Sequence, residues 1–301
     1  WLATILQSEN NNPKGLQKSI TEIKSYGFKF AAPDVNYSGT EWEYSDEAQA
    51  FVPPLSSVKG VGNTAMEEIM LMRPYSSVTD LLYNDEGAWK HSKMNKTAFK
   101  SLCSIEAFGS LEEIKSGKIK NHRQLLAILT DDKNYETLRK GPYGLTKTQV
   151  ARMRKKMEEP ELLLGKLIDD YKRLPDWNRS EKILNYVDFT SSVNNDLVFP
   201  PKMIERIKSK NVPSLFDIPA GEKGIGWCCV TEVISKMTKN NKPFFRLKVM
   251  DNNNNSGWLR AWGRFDAPPA PYTIWVAEAH NDPNWGMSTS AWKMKQVRAY
   301  D

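Results

Sequence analysis

The stretch Leu55-Ser56-Ser57-Val58-Lys59-Gly60-Val61-Gly62-Asn63-Thr64-Ala65-Met66-Glu67-Glu68-Ile69 decides how the first part of this chain folds. Leu55 and Val58 before the interruption, and Ala65 and Ile69 after it, stand at helical spacing. Between them Gly60-Val61-Gly62 breaks the pattern, so two helical turns meet at a Gly-apolar-Gly hairpin. Glycines there let the backbone approach a neighbour closely, and the amides that open the second helix are left to hold an anion. Lys59 adds a positive charge beside those amides. A plain turn between two helices has the same outline and remains the alternative.

This is the helix-hairpin-helix pattern, which holds DNA through its phosphates without reading sequence. Lys59, Gly60, Val61, Gly62 and Asn63 are its candidate duplex-phosphate contacts. Upstream, Leu16, Ile20 and Ile23 line one side of a helix predicted over Pro13 to Gly27, with Gly27 where a helix stop belongs. Phe28 to Phe30 reads as a short extended run, and Glu41 to Glu43 and Ala48 to Val52 as two more around Ser45-Asp46-Glu47. Downstream, short helices continue to Ser110, and a charged, mostly helical segment runs from Asn121 to Arg173, its apolar side including Met153, Met157 and Leu162 to Leu164. A looser stretch, Thr190 to Pro201, precedes a helix around Met203 to Ile207.

Composition narrows the function classes. The 301 residues carry 42 Lys and Arg against 36 Asp and Glu, a net charge of +6 that suits a nucleic-acid partner without establishing one. Only three cysteines (Cys103, Cys228, Cys229) and three histidines (His91, His122, His280) occur. That is too few for a disulfide framework or a Cys/His zinc site and favours a reducing compartment. No run approaches the roughly 18 apolar residues of a membrane span, and Trp1 opens a segment without the marks of a signal peptide. A cytoplasmic protein with no membrane partner is expected, and the start at Trp1 without Met reads as a piece cut from something longer.

Beyond Pro219 the texture changes to alternation between turns. Trp227–Met237, Phe244–Met250, Trp258–Trp262, Thr273–Ala277 and Ala291–Ala299 are five strand candidates, which suits a small oligonucleotide-binding (OB) barrel. With Phe245, Leu247, Val249, Leu259 and Ala261 inward, the pleat turns Phe244, Arg246, Lys248, Trp258, Arg260 and Trp262 outward. Aromatic and basic side chains on one face can stack bases and neutralise phosphates. Packing of Trp258 and Trp262 under a neighbouring domain is the competing reading. From Glu222 onward, eleven Lys and Arg face seven Asp and Glu, so +4 of the charge lies in this part.

Read in order, several blocks resemble one family. Trp1-Leu2-Ala3-Thr4-Ile5-Leu6-Gln7-Ser8-Glu9, Gly27-Phe28-Lys29-Phe30-Ala31-Ala32-Pro33-Asp34-Val35-Asn36 and Val58-Lys59-Gly60-Val61-Gly62 are similar to the late fingers and hairpin of bacterial DNA polymerase III alpha subunits, the family C replicative polymerases. Asn95-Lys96 through Leu102 and Glu106-Ala107-Phe108-Gly109-Ser110-Leu111 resemble the next block, usually ending Gly-Ala-Phe-Asp-x-Leu, and Arg123-Gln124-Leu125-Leu126-Ala127 continues it. Thr238-Lys239-Asn240-Asn241-Lys242-Pro243, followed by Asp251 and Gly257, resembles the Thr-Lys-Lys-Gly-Lys-Pro run of that family's OB barrel. The departures, above all Glu106 in place of Gly and the faint match of 129–201, suggest a divergent lineage, conceivably a phage one.

The resemblance implies an α+β chain, mainly helical over its first two-thirds and ending in a five-stranded OB-fold barrel. Its divisions would be 1–52, the rear of a fingers domain; 53–130, the helix-hairpin-helix region; 131–221, a helical linker; and 222–301, the barrel. It adds Lys96 to the duplex-phosphate contacts and Lys239 and Lys242 to the single-strand face. The catalytic palm aspartates that hold two Mg2+ ions lie upstream of the matched region, so no catalytic residue, metal site or cofactor is expected here and Mg2+ belongs to the intact polymerase. Asp131-Asp132 and Asp169-Asp170 carry no matching motif. Implied partners are primer-template duplex, single-stranded DNA, the upstream palm and fingers of the same polymerase and a sliding clamp. For the clamp, Ser214-Leu215-Phe216 has the end of a Gln-x-x-Leu-Phe ligand without the Gln; anchoring of the chain before the barrel is the other reading. A non-catalytic DNA-binding accessory protein built from the same modules is the alternative function.

Overall fold

The computed structural model describes residues 1–85, 87–140, 160–190, 195–253 and 255–297. Met153 and Met157 therefore lie outside the described residues. The chain divides into two compact units, Trp1–Asn178 with Asn185–Ser192, and Arg179–Leu184 with Val193–Asp301.

The first unit opens with α1 (Leu2–Ser8) and α2 (Pro13–Ser25). The Asn12 side chain accepts from the Gly15 amide at 3.2 Å and Pro13 takes the first helical position, a strong start signal. The stop falls two residues before the predicted Gly27, which holds the left-handed turn beyond it at φ +91°. The hairpin β1 (Glu43–Ser45) and β2 (Ala50–Val52) is antiparallel, and the Phe28–Phe30 run joins it by a single bridge, Phe30 to Phe51. Leu6, Leu16, Ile23, Trp42 and Phe51 bury together as a local core.

A 3-10 turn at Leu55–Ser57 leads to α3 (Asn63–Met72), α4 (Val78–Leu82), α5 (Lys96–Ser104), α6 (Glu112–Lys115), α7 (His122–Thr130) and α8 (Asp132–Lys140). Side-chain caps fix the starts of three of them: Ser77 on Asp80, Asn95 on Ala98 and Asn121 on Gln124. Ile69, Leu81, Phe99, Leu102, Phe108 and Leu125 meet in one core that also takes Leu164, Leu167 and Ile168 from the helix Pro160–Tyr171. The Asp34–Asn36 segment is stitched to it by hydrogen bonds. Asp34 accepts from the Ser110 amide and hydroxyl at 3.0 and 2.6 Å, and Asn36 exchanges bonds with the backbone of Tyr75 at 2.7 and 2.8 Å. Burial raises the Asp34 carboxyl against the lowering effect of these donors. The Pro-Asp-Val-Asn stretch thus works as a structural clasp between the first fifty residues and the helical core.

In the second unit, helices Asn195–Val198 and Pro201–Ser209 precede β3 (Lys223–Met237), β4 (Pro243–Met250), β5 (Ser256–Trp262), β6 (Thr273–Asp282), β7 (Gly286–Ser290) and β8 (Met294–Gln296). β3 pairs with β6 along its first half and with β4 along its second, turning at a register shift between Val230 and Glu232. The ring runs β3-β4-β5-β7-β6 and back to β3, with β5 and β7 parallel. It is a five-stranded closed barrel consistent with the OB-fold.

The fifth strand is not where the alternation puts it. Ala291–Ala299 is predicted to close the barrel, but β7 does so, while Ala291–Lys293 forms a 3-10 turn and the short β8 adds to β6 from outside the ring. Ala299 lies outside the described residues. β7, Gly-Met-Ser-Thr-Ser, carries no apolar alternation; its buried Thr289 satisfies its hydroxyl on the Glu278 carbonyl at 2.6 Å instead. β6 also runs five residues past the predicted Ala277.

Candidate nucleic-acid interface

At the hairpin, the first helical turn is the 3-10 turn, Val58 and Val61 are buried, and Lys59, Gly60, Gly62, Asn63 and Thr64 are exposed. Gly60 stands at φ +89°, and a Cβ there would meet the Ser101 hydroxyl of α5 at 2.4 Å, so this glycine is required both by its conformation and by the approach of α5. Gly62 differs. It is the N-cap of α3 with an extended backbone, and a Cβ there meets nothing within 4 Å. Its missing side chain leaves the α3 N-terminus without a side-chain cap, and of the first-turn amides that of Ala65 is bonded to the Gly62 carbonyl at 3.0 Å. The Lys59 amide is bonded to the Phe189 carbonyl at 2.7 Å, which fixes the lysine's place in the turn.

Behind the hairpin, Glu68 of α3 reaches the 92–94 loop. Its buried carboxylate accepts from the amides of Ser92, Lys93 and Met94 and from the Ser92 hydroxyl, at 2.7 to 3.1 Å. Burial works to raise this carboxyl, but the four donors outweigh it and hold it at about 2. The bonds fix the loop that delivers Asn95 and Lys96 at the start of α5. Lys96 itself is ion-paired with Asp132.

The barrel face follows the predicted pleat. Leu247, Val249, Leu259 and Ala261 are buried, Phe245 packs against that core, and Lys248, Trp258 and Trp262 are exposed, the tryptophans by 38% and 41%. Across the β4–β5 ladder Phe244 faces Trp262, Arg246 faces Arg260 and Lys248 faces Trp258. The rings of Phe244 and Trp262 are 5.0 Å apart between centres, and the Arg246 guanidinium lies 4.5 Å from the centre of Trp258. Lys239 and Lys242 are exposed in the β3–β4 turn. There Asn241, at φ +55°, stands where the resembled family carries Gly, and Asn tolerates that conformation better than most residues.

Sequence reasoning missed Trp285. It sits in the β6–β7 turn, 70% exposed, where Asp282 accepts from its amide and from that of Asn284, both at 2.9 Å. Those bonds also lower the Asp282 carboxyl. Arg260 donates to the Trp285 carbonyl and lies 6.0 Å from its ring centre. The signal was present, an aromatic in the loop between the last two barrel strands, which OB-folds use for binding; the misplaced fifth strand hid it.

Ser214, Leu215 and Phe216 are committed to the barrel. Leu215 is 0% exposed in its core, Phe216 packs beside it, and the Ser214 hydroxyl donates to Asp251 at 2.7 Å. These contacts are those of a segment anchored on the barrel. Asp131 caps the amides of Lys133 and Asn134, Asp132 pairs with Lys96 and Asp169 with Lys172. Among the described residues no three His, Cys, Asp or Glu side chains gather as a metal site would require. Burial pushes the Cys229 thiol up to about 12 and raises Cys103 and Cys228 as well, which makes all three poor nucleophiles. No helix among the described residues is long and apolar enough to cross a membrane.

Residues 27–117 match the family model for the helix-hairpin-helix motif. The chain is 29% identical over 135 residues to the DNA polymerase III subunit alpha of Chlamydia muridarum, covering 44% of this chain and 10% of that protein. Over 142 residues it is 27% identical to that of Borreliella burgdorferi, 46% of this chain and 12% of that one. Over 95 residues it is 32% identical to that of Thermotoga maritima, 32% of this chain and 10% of that one. The chain is similar to the C-terminal part of DNA polymerase III alpha subunits. It matches only about a tenth of the length of these relatives. Glu106 holds φ +62°, a backbone conformation in which glycine is the least strained residue.

Proposed function

We propose that this chain is the DNA-holding part of a DNA polymerase III alpha-like enzyme, which joins it to upstream palm and fingers carrying the Mg2+-dependent chemistry. The hairpin at Lys59, Gly60, Val61, Gly62 and Asn63 grips duplex phosphates through α3 amides and the Lys59 charge, and Lys96 adds to it when DNA displaces Asp132. The barrel face of Phe244, Arg246, Lys248, Trp258, Arg260 and Trp262, with Lys239 and Lys242 in its turn, stacks single-stranded template. The observation that carries this reading is the alternation on β4 and β5, which keeps three aromatic and three basic side chains on one outward face over an apolar barrel core. Stacking on such a face is worth ~1–3 kcal/mol per base.

The test is binding by the purified chain. Primer-template duplex and single-stranded DNA should both bind regardless of sequence, with steep weakening by salt as counterions are released. With magnesium and nucleotides the chain alone should incorporate nothing. Template-directed extension by the chain alone, or no DNA binding at low salt, overturns the reading. The full reading frame separates the polymerase from a non-catalytic accessory protein, because only the former carries palm aspartates upstream.

A further inference from the structure

Paired residues of the barrel ladder form one unbroken row across five strands. Arg246 of β4 faces Arg260 of β5, Arg260 faces Ser288 of β7, Ser288 faces His280 of β6, and His280 faces Lys223 of β3. We infer that this row is a backbone track, which leads the phosphates of a single strand off the β4–β5 face and across β7 to β6 and β3. Ser288, His280 and Lys223 are its contacts beyond that face. The inference rests on the single-strand reading of β4 and β5 and extends it to three further strands.

The row lies on the outside of the barrel throughout. Leu247, Leu259, Ala261, Thr289 and Ala279, the neighbours of its members along four strands, are buried. Alternation then turns Arg246, Arg260, Ser288 and His280 outward, and Lys223, paired with His280, is exposed on the same side. Four steps of about 4.8 Å between strands make a path of roughly 19 Å, long enough for several nucleotides.

Two features point to a polyanion as the occupant. Arg246 and Arg260 are like charges directly opposite each other, which destabilises a ladder. Among the described residues neither makes an ion pair; Arg246 lies against the Trp258 ring and Arg260 donates to the Trp285 carbonyl. The row itself also contains no acid. Glu278 and Asp282 flank His280 along β6, but Glu278 is taken by Lys293 at 2.5 Å and Asp282 by the amides of Asn284 and Trp285 at 2.9 Å. A chain of phosphates supplies the missing negative charge along the whole path, and the row starts beside Trp258 and Trp262, whose rings can stack only unpaired bases.

His280 adds a pH dependence that arginine and lysine cannot. It is the one histidine in the barrel, and the charged groups around it are Lys223 and the adjoining Glu222 on the β3 side, Glu278 and Asp282 on its own strand, and Arg260 beyond Ser288. The turn amides lower the Asp282 carboxyl, so its charge does not change while an imidazole gains a proton. Phosphate binding along the track therefore strengthens as pH falls through the imidazole range.

The test is single-strand binding by the full chain, followed by anisotropy with labelled thymidine oligonucleotides of about 4 and about 15 residues. The longer one should bind roughly threefold or more tighter at about pH 6 than at about pH 8, and His280→Gln should remove that gain. Lys223→Gln should make the slope of log affinity against log salt shallower by about 0.7 unit. The short oligonucleotide should weaken in Trp258→Ala and in neither distal variant. A pH gain that survives in folded His280→Gln, with an unchanged slope in Lys223→Gln, would overturn the track while a defect in Trp258→Ala left the β4–β5 face standing. If His280→Gln does not fold, the exposed Lys223 decides alone. No binding of either oligonucleotide by the unaltered chain overturns the single-strand reading and the track together.

Discussion

The Arg246 guanidinium sits 4.5 Å from the centre of the Trp258 ring, on the diagonal between the Arg246–Arg260 and Lys248–Trp258 pairs of the β4–β5 ladder. A cation on one face of an indole holds the ring upright and leaves its other face for a base. Trp258→Ala should therefore weaken single-strand binding by about 1–3 kcal/mol without unfolding the barrel. The double variant with Arg246→Ala should fall short of the sum of the single losses, because the two side chains form one platform. If Trp258→Ala unfolds the barrel and shows no separate binding defect, the tryptophan is part of the packing and the outward face is misassigned.

The two hairpin glycines should separate stability from binding. Gly60→Ala forces a side chain into φ +89° and against Ser101, and should cost about 1–2 kcal/mol or more in urea unfolding. Gly62→Asp meets no steric obstacle and should fold normally, but it places a carboxylate at the phosphate site proposed for the hairpin. Duplex affinity should then drop on every sequence alike. Equal duplex affinity in folded Gly62→Asp would return the hairpin to a plain turn.

Glu106 carries a conformational cost that can be recovered. At φ +62° a residue other than glycine costs roughly 1–2 kcal/mol, partly offset in the glycine variant by a more flexible unfolded chain. Glu106→Gly should raise stability by about 0.5–1 kcal/mol, read from the urea midpoint at constant slope. A lower midpoint would mean that the Glu106 side chain contributes more than its backbone costs.

Legibility in the sequence followed the range of the forces involved. The β4 and β5 pleat and the Gly60 turn were readable because period-two alternation and positive φ are local demands. The closing strand was not, since Gly286–Ser290 is held by ladder bonds and a threonine hydroxyl that leave no apolar pattern. For Leu215 the sequence left both clamp binding and anchoring open, because nothing local reveals that it enters the barrel core. Lys96 was expected to contact duplex phosphate, and nothing local reveals its ion pair with Asp132, thirty-six residues away.

Glu68 sets a pH dependence of definite sign. Its folded carboxyl, at about 2, lies below the unfolded value near 4.5, so its stabilisation is complete above the unfolded value and is lost as pH falls through 4.5 toward 2. Thermal melts should show that loss in the unaltered chain and a flatter acid limb in Glu68→Gln. At neutral pH the variant should be less stable by about 1.5–3 kcal/mol, the range for a hydrogen bond to a charged group. An identical acid limb in both proteins would place the acid sensitivity elsewhere.

Arg260 and Trp285 should divide the barrel's binding between charge and stacking. Arg260 is bonded to the Trp285 carbonyl and lies near its ring, while Asp282 holds the same turn by two amides. Trp285→Ala removes an exposed ring but leaves those backbone bonds, so it should cost about 1–3 kcal/mol in single-strand affinity with little change in salt slope. Arg260→Ala should flatten the slope by about one unit through loss of the proposed phosphate contact, and it should also reduce the effect of a second substitution at Trp285, whose position it helps to fix. Asp282→Asn offers the control. It weakens the turn without touching the binding face, so any loss of affinity it produces should shrink when Trp285 is already Ala. Full additivity of Asp282→Asn and Trp285→Ala would show that the turn does not act through the tryptophan, and would remove Trp285 from the single-strand face.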